Sequence, residues 1–404
     1  RDTDMYNIRK VTDDITWIGA SDRRLALFEN IFPISRGVSY NSYILVDEQT
    51  VLFDTVDASV AGQFFENLEA VLEGRTLDYL IVNHMEPDHC AMIGDIVRRY
   101  PDVKIVGNTK TFGMMNQFFG TDFAERSIVV KEGDTLSAGK HTLHFVMAPM
   151  VHWPEAMVTY DDVDKVLFSA DGFGSFGALN GNIFADEVDF DRDWLDDARR
   201  YYTNIVGKYG ASVQTLLKKA AGLDIAMICP LHGPVWRENL PYILKKYQKW
   251  STYEAEDQAV VIMYASMYGN TASAADALAG ALAVRSVKKI AVYDVSNTHV
   301  SELISEIFRV SHLVFAVPTY NAGIYPVMEN LLSDMKALAV QKKTVAVMEN
   351  GTWAPTAAKQ VKEKLGEMKD MTILDAGLTI KSAMHAGQKA ELDALADEIV
   401  KSMM

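Results

Sequence analysis

His84-Met85-Glu86-Pro87-Asp88-His89 places four side chains able to bind a metal within six residues. The hexapeptide follows residues 77–82, a short continuous apolar run that reads as a buried strand, and Pro87 among polar neighbours marks the loop that begins there. Loops at strand exits are where open sheets put their sites. Working outward, three more potential ligands stand near the ends of apolar runs and beside turn residues. They are His152 in His152-Trp153-Pro154, Asp171 in Ser169-Ala170-Asp171-Gly172, and His232 in Pro230-Leu231-His232-Gly233. A single histidine in such a place is ordinarily a hydrogen-bonded structural residue. Four of the nine histidines and three carboxylates together at strand exits are not a chance arrangement.

Seven ligands exceed what one tetrahedral ion takes. They suit two ions, each with two imidazoles and a terminal carboxylate, joined by one further carboxylate. Asp171, the only ligand on its own turn and flanked by Gly172, is the expected bridge. Three acids against two divalent ions leave a small positive charge, which a bridging hydroxide or oxo group balances. Imidazole and oxygen donors without thiolate fit non-haem iron or manganese. Cys90 and Cys229 lie beside ligands in sequence, so a zinc–thiolate site is the alternative. Cys229 reads more simply as a buried strand residue, and Cys90 as the start of a helix over 90–100 that Pro101 stops. His141 and His144 are three apart on a strand, hence on opposite faces, and do not chelate together.

The first half reads as strands with intervening helices. A hairpin at 42–46 and 50–56 turns at Asp47-Glu48-Gln49, and further strands are expected at 103–106, 128–130, 142–147, 158–168 and 225–229. Helices are expected at 192–206 and 213–221. The end of the polar, aromatic stretch 245–258 reads as a linker, which divides the chain into domains 1–254 and 255–404. Beyond it strands at 259–265, 289–295, 312–317, 344–348 and 372–378 alternate with helices at 272–283, 301–310, 326–337, 356–369 and from about 390. Five strand–helix units specify a doubly wound parallel sheet.

Three loops at strand ends of this second half form another constellation. Ser266-Met267-Tyr268-Gly269-Asn270-Thr271 offers hydroxyls, a glycine and successive backbone N–H groups at a helix start, which is a phosphate cradle. It holds no Lys or Arg and is not a GxxxxGK[ST] loop, so a phosphate there is held by dipoles. Pro318-Thr319-Tyr320-Asn321-Ala322-Gly323 ends the third strand, and Glu349-Asn350-Gly351-Thr352-Trp353 ends the fourth. An isoalloxazine needs flat apolar walls and a few backbone hydrogen bonds. Tyr320 and Trp353 are the expected walls, Met267 adds a thioether, and the three loops are assigned to FMN.

Composition narrows the function classes. The 404 residues carry 39 Lys+Arg against 54 Asp+Glu, a formal charge of −15, which argues against a nucleic-acid role. An apolar fraction of 49 % excludes a mostly disordered chain. No apolar run approaches the roughly 18 residues of a membrane span. No apolar segment follows Arg1-Asp2-Thr3-Asp4, so no signal peptide is expected, and the missing initiator Met suggests a small numbering offset. Two cysteines without a CxxC pair exclude a disulfide scaffold and a rubredoxin or four-cysteine cluster within these residues, and they suit a cytoplasmic setting.

The separated ligand positions resemble the metallo-β-lactamase fold, whose zinc hydrolases carry HxHxDH. Here the motif is HxExDH, with Glu86 where the second His would be. A carboxylate in that place hardens the site and favours a redox-capable iron. HxExDH, His152-Trp153-Pro154 and the flavodoxin-like second half together resemble the flavodiiron proteins over essentially the whole chain. The fold implied is an αββα sandwich followed by a flavodoxin-like five-stranded parallel sheet. The resemblance also implies a reductase of O2 to water, or of two NO to N2O, that protects anaerobic or microaerobic cells. It implies a head-to-tail homodimer, or a homotetramer, in which electrons cross from one chain's FMN to the other's irons. The donor implied is external, a rubredoxin or a reduced soluble cofactor. Two iron ions plus FMN hold the four electrons that O2 needs, which favours O2 over NO. Many family members have a Phe-His-Gly stretch near the metals where this chain has Phe28-Glu29-Asn30, so Glu29 replaces that His. Tyr201-Tyr202 resembles a family pair near the site. The rival readings are a metallo-hydrolase with a flavodoxin-like appendage and a pure electron carrier.

Overall fold

Short apolar strands of the N-terminal half pair into two mixed sheets in the computed structural model, which describes residues 6–404. One sheet runs in the order Arg9–Lys10, Ile15–Trp17, Tyr43–Val46, Thr50–Phe53, Tyr79–Ile81, Lys104–Gly107, Ser127–Val129. Its strands are antiparallel up to Thr50–Phe53 and parallel from there on. The other runs Thr135–Ser137, Thr142–Met147, Met157–Asp161, Val166–Phe168, Met227–Cys229, antiparallel except for its last pair. The inner faces meet through stacked rings, Phe53 on Phe168 with centroids 3.7 Å apart. Helices such as Ala61–Leu72, which buries Phe64, Phe65, Leu68 and Leu72 at helical spacing, cover the outside. This is the αββα sandwich. Its parallel strands end together, and Asp54, His84, Asp171 and His232 all follow such ends.

The second sheet system has the order Ile290–Asp294, Asp257–Tyr264, Val310–Tyr320, Thr344–Asn350, Thr372–Ile380, all parallel. The two-residue strand Gly323–Ile324 folds back on the end of Val310–Tyr320. Strand alternation divides the core in two. Val261, Phe315 and Val345 pack with Ile304, Leu332 and Val361 on one face. Ile262, Val314 and Met348 pack with Leu278, Leu395 and Ile399 on the other. The order is that of a flavodoxin-like sheet, with its switch point between the first and third strands in sequence.

The chain divides into two compact units. One takes the described N-terminal part to Tyr202 with Tyr209–Gln248, and the other takes Thr203–Lys208 with Lys249–Met404. Several sequence expectations change. The strand expected over 158–168 is a hairpin, Met157–Asp161 and Val166–Phe168. The helix over 90–100 is two, Pro87–Cys90 and Ile93–Arg99. That over 192–206 becomes Phe190–Asp193, Leu195–Tyr201 and a π-turn at Tyr202–Val206. Much of 245–258 is helix Leu240–Ser251, and strand Asp257–Tyr264 starts within it. The small hairpins Ala20–Asp22 with Val38–Tyr40 and Leu27–Phe28 with Phe32–Pro33 were not expected. The expectations at residues 1–4 lie outside the described residues. Among the described residues no helix is long and apolar enough to cross a membrane.

Candidate functional site

All seven ligand candidates meet at the strand ends of the sandwich, in two groups. His84, Glu86, His152 and Asp171 form the first. His152 Nε2 lies 3.1 Å from Glu86 Oε2 and 3.0 Å from Asp171 Oδ2, and His84 Nε2 lies 3.1 Å from the same Asp171 oxygen. Asp88, His89 and His232 form the second. Asp88 Oδ2 lies 3.3 Å from His89 Nε2 and 3.1 Å from His232 Nε2, and those two nitrogens are 3.0 Å apart. Asp171 Oδ1 turns to this second group, 3.1 Å from His89 Nε2. One carboxylate therefore faces both groups, one oxygen to each.

Local folding aims these groups. Pro87 opens a one-turn helix, so Asp88 and His89 leave the same turn. His84 Nδ1 donates to Glu155 Oε1 at 2.7 Å, and His232 Nδ1 donates to the Ser39 carbonyl at 2.7 Å, so each ring presents Nε2 inward. Gly233, at φ 78, follows His232; a Cβ there would lie 2.9 Å from that of Ser175, so the turn takes only glycine. Asp54, buried after strand Thr50–Phe53, accepts from the backbone N–H of Asn83 (2.8 Å) and of His84 (3.2 Å). Burial pushes its carboxyl up to about 6 against those hydrogen bonds.

The electrostatics are those of a cation site. Burial pushes the imidazoles of His84, His89 and His152 down, yet the surrounding carboxylates reverse this. Asp171 first, then Glu155 and Glu86, hold His84 well above the ordinary value. Asp88 and Asp171 bring His89 up to about 9, and Asp171 with Glu86 bring His152 to about 9. Burial opposes the ionisation of Glu86, but His152 and His84 bring it down to about 2. Both Asp88 oxygens, Asp171 Oδ1 and His89 Nδ1 are buried without a hydrogen bond. Unpaired buried carboxylate oxygens facing imidazole nitrogens fit two metal ions. The donor set is nitrogen and oxygen throughout. The Cys90 thiol faces the Met85 carbonyl at 3.3 Å and Cys229 is buried in its strand, and neither belongs to either group of candidate ligands.

Beside the second group, Phe28 lies edge-on to His232 at 5.4 Å and the Tyr201 ring lies 5.6 Å away. The Tyr201 hydroxyl is buried and makes no hydrogen bond, and Tyr202 packs on Tyr247 at 5.0 Å. Glu29 and Asn30, at φ 50 and 56, form the apex of the Phe28 hairpin. Glu29 is solvent-exposed as a residue. Desolvation of its carboxyl and then the charge of Glu86 still push it up to about 7.

In the flavodoxin-like unit a cavity of about 430 Å³ opens at the strand ends. Every residue expected at the flavin lines it except Gly269, Gly323 and Glu349, and Ala354 and Ser382 join them. Gly269, at φ 100, serves the turn instead: its N–H and that of Ala272 donate to Ser266 Oγ. Gly323 pairs with Tyr320 in the back-folded strand. Asn350 ties the loops together. Its Nδ2 donates to the Ser382 carbonyl (2.9 Å) and to Thr271 Oγ1 (3.3 Å), and its Oδ1 accepts from the Ser382 N–H (3.0 Å). Tyr268 is 94 % and Trp353 82 % exposed, so flat rings stand open at the rim, as a planar ligand needs.

Sequence reasoning missed Asp54, Glu155, Asn350's fastening role and Ser382. Asp54 had a signal, since it too follows an apolar strand, and Glu155 follows His152-Trp153-Pro154 directly. His141, set aside as a chelator with His144, is in fact buried between Asp161 (2.9 Å) and Asp14 (2.8 Å), with Asp164 near.

Comparison with known proteins follows the same division. A family described as ODP family beta lactamase matches residues 38–233, and the flavodoxin family matches 262–398. The anaerobic nitric oxide reductase flavorubredoxin of Klebsiella pneumoniae is 31 % identical over 391 residues, covering 95 % of this chain and 78 % of that protein. The rubredoxin oxygen:oxidoreductase of the anaerobe Desulfovibrio gigas superposes with a TM-score of 0.90 at 28 % identity, covering 98 % of both chains. The flavodiiron protein of Giardia intestinalis shares the fold with a TM-score of 0.91 at 24 % identity, covering 98 % of this chain and 97 % of the other.

Proposed function

This chain belongs to the flavodiiron protein family, and we propose that it reduces O2 to water, with coupling of two NO to N2O and water as the alternative reaction of the same site. It is an oxidoreductase, with FMN and two non-haem irons as its cofactors. The observation that carries the reading is Asp171, one oxygen to each imidazole–carboxylate group, in a chain that also has a flavodoxin-type cavity.

When bound, two ferrous ions and reduced FMN supply four electrons and an open coordination position for a diatomic gas. In our reading His84, Glu86 and His152 hold one iron, Asp88, His89 and His232 hold the other, and Asp171 spans both. The three carboxylates offset most of the charge of two divalent ions. Glu155 and the Ser39 carbonyl keep two imidazoles turned inward. Phe28 and Tyr201 pack against His232 and keep bulk water from that side. Reduction of O2 to two waters consumes four protons with its four electrons. In our reading the Glu29 carboxyl, at the hairpin apex, carries protons toward the irons.

The electron count favours O2. Four stored electrons complete its reduction without release of peroxide, whereas NO coupling needs two. A hydrolase has no use for the flavin cavity. Two cysteines cannot build a four-thiolate iron centre within these residues, so in our reading a rubredoxin-type centre outside them or a soluble reduced cofactor supplies the FMN. Both cysteines are free, which suits a cytoplasmic setting. A head-to-tail homodimer completes the proposal. The test mixes fully reduced enzyme with limiting O2 and, separately, with limiting NO. One O2 consumed per four electrons without peroxide, faster than NO, is expected. Faster N2O formation, or peroxide as the main product, overturns the preference.

A further inference from the structure

One buried carboxyl group belongs to a flavin loop in sequence but does not line the cavity. Glu349 is the penultimate residue of strand Thr344–Asn350 and is 8 % exposed. In register it lies between Val317 and Thr379 on the neighbouring strands. Oε2 accepts from the Thr379 hydroxyl at 3.4 Å, and Oε1 has no hydrogen-bond partner. Strand alternation puts Glu349 on the face of Val345 and Val347, which with Val317 belong to an apolar core layer. The next residues outward on that face are Thr319 on the neighbouring strand and Gly351 on its own, and both line the flavin cavity. Two residues of strand span about 7 Å. The carboxyl therefore stands one step beneath the cavity floor, in a place that folding alone would give to another valine.

We propose that the Glu349 carboxylate beneath the flavin lowers the reduction potential of bound FMN. The proposal rests on the reading of the cavity as the FMN site. Reduction adds two electrons and one proton to neutral oxidised flavin and leaves an anion on its pyrimidine ring. A carboxylate under the floor, poorly screened by water, opposes that second negative charge and leaves the neutral oxidised form nearly untouched. The flavin becomes a stronger reductant, and electrons leave it more readily for the acceptor.

The experiment is a reductive titration of the full-length, flavin-loaded protein against Glu349→Gln, Glu349→Thr and Glu349→Asp. Gln keeps the volume and a hydrogen bond to Thr379, and Thr is a good strand former, so either uncharged variant serves if the other folds poorly. Both are expected to bind oxidised FMN like the parent. Both should favour reduced over oxidised flavin about tenfold more than the parent, a rise of about 30 mV for a two-electron couple. Asp keeps the charge and is expected to stay near the parent. Unchanged potentials in Gln and Thr, or a shift in Asp equal to theirs, overturn the proposal, the latter because packing then explains it. A parent protein that binds no FMN would instead overturn the reading of the cavity, a result visible before any titration.

Discussion

In the proposed diiron site Asp171 serves both positions, one oxygen to each. Oδ2 lies near His84 and His152 while Oδ1 lies near His89, so its loss unbalances both positions at once. Asp171→Ala is expected to leave the protein without either iron, measured by metal analysis of the folded variant; full diiron occupancy would mean that another carboxylate bridges. Glu155 accepts from the far nitrogen of His84 and from the Met85 N–H and does not reach the inward-facing nitrogens, so Glu155→Gln should retain the metals with affinity weakened about 10–100-fold. At the flavin, Asn350→Ala removes three hydrogen bonds that fasten Ser382 and Thr271. At roughly 1 kcal/mol or less each, the expected outcome is FMN binding weakened about tenfold or more with iron content unchanged, read by fluorescence titration and metal analysis. The grouping of the seven ligand candidates was legible because rare residue types recur at strand exits. Ser382 was not, because its partner lies 32 residues away and serine is common in loops, and Glu155 had only its place after His152-Trp153-Pro154, its partner lying 71 residues away.

Elements were legible where one period ran unbroken and illegible where contacts interrupted it. The alternating second half matches its expected strands and helices closely. Helix Leu240–Ser251 was not expected, because 245–258 read only as a polar, aromatic stretch with a linker at its end, although Ile243, Tyr247 and Trp250 recur at helical spacing and are buried. The hairpin inside 158–168 was hidden by an apolar run on both sides of Asp161-Asp162-Val163-Asp164. That turn belongs to a clamp. The His141 ring N–H groups donate to Asp161 and to Asp14, and its backbone N–H donates to Asp47, so four turns of the sandwich meet at one histidine. Burial pushes the His141 ring down, but Asp14 and Asp161 outweigh it and hold it above its ordinary value, while His141 holds Asp14 below its own. A raised imidazole stabilises the fold fully below its unfolded value near 6.5 and loses that contribution as pH rises through the folded value. The Asp14 part is present above about 3.9 and lost as pH falls. His141→Ala also leaves the Asp161 carboxylate buried without its partner, a loss of about 3 kcal/mol. The expected result is a melting difference between parent and variant that is largest near pH 6 and shrinks toward pH 9. A difference that grows with pH would show that the ring is held neutral.

At the scale of the whole molecule the chain carries two chemistries on two cores, and the reaction needs electrons to pass from one to the other. Transfer within a chain and transfer between chains of a homodimer make different demands, and defective chains separate them. Asp171→Ala is expected to keep FMN and lose iron. A chain doubly altered at Asn350→Ala and Trp353→Ala, which removes the loop fastening and an exposed ring at the cavity, should keep iron and lose most FMN. Each alone is expected to be inactive in gas reduction. When equal amounts are dissociated and reassembled, random pairing makes about half the dimers mixed, and each mixed dimer holds one intact FMN–diiron pair across the interface out of two in the parent. Activity should then recover to about one quarter of the parent per chain, because only a head-to-tail arrangement places the working flavin of one chain against the working irons of the other. If electrons instead stay within a chain, no mixed dimer contains a complete route and the mixture remains as inactive as its parts. Recovery measured in the separated mixed dimer, with O2 consumption per four electrons as the readout, therefore decides the route.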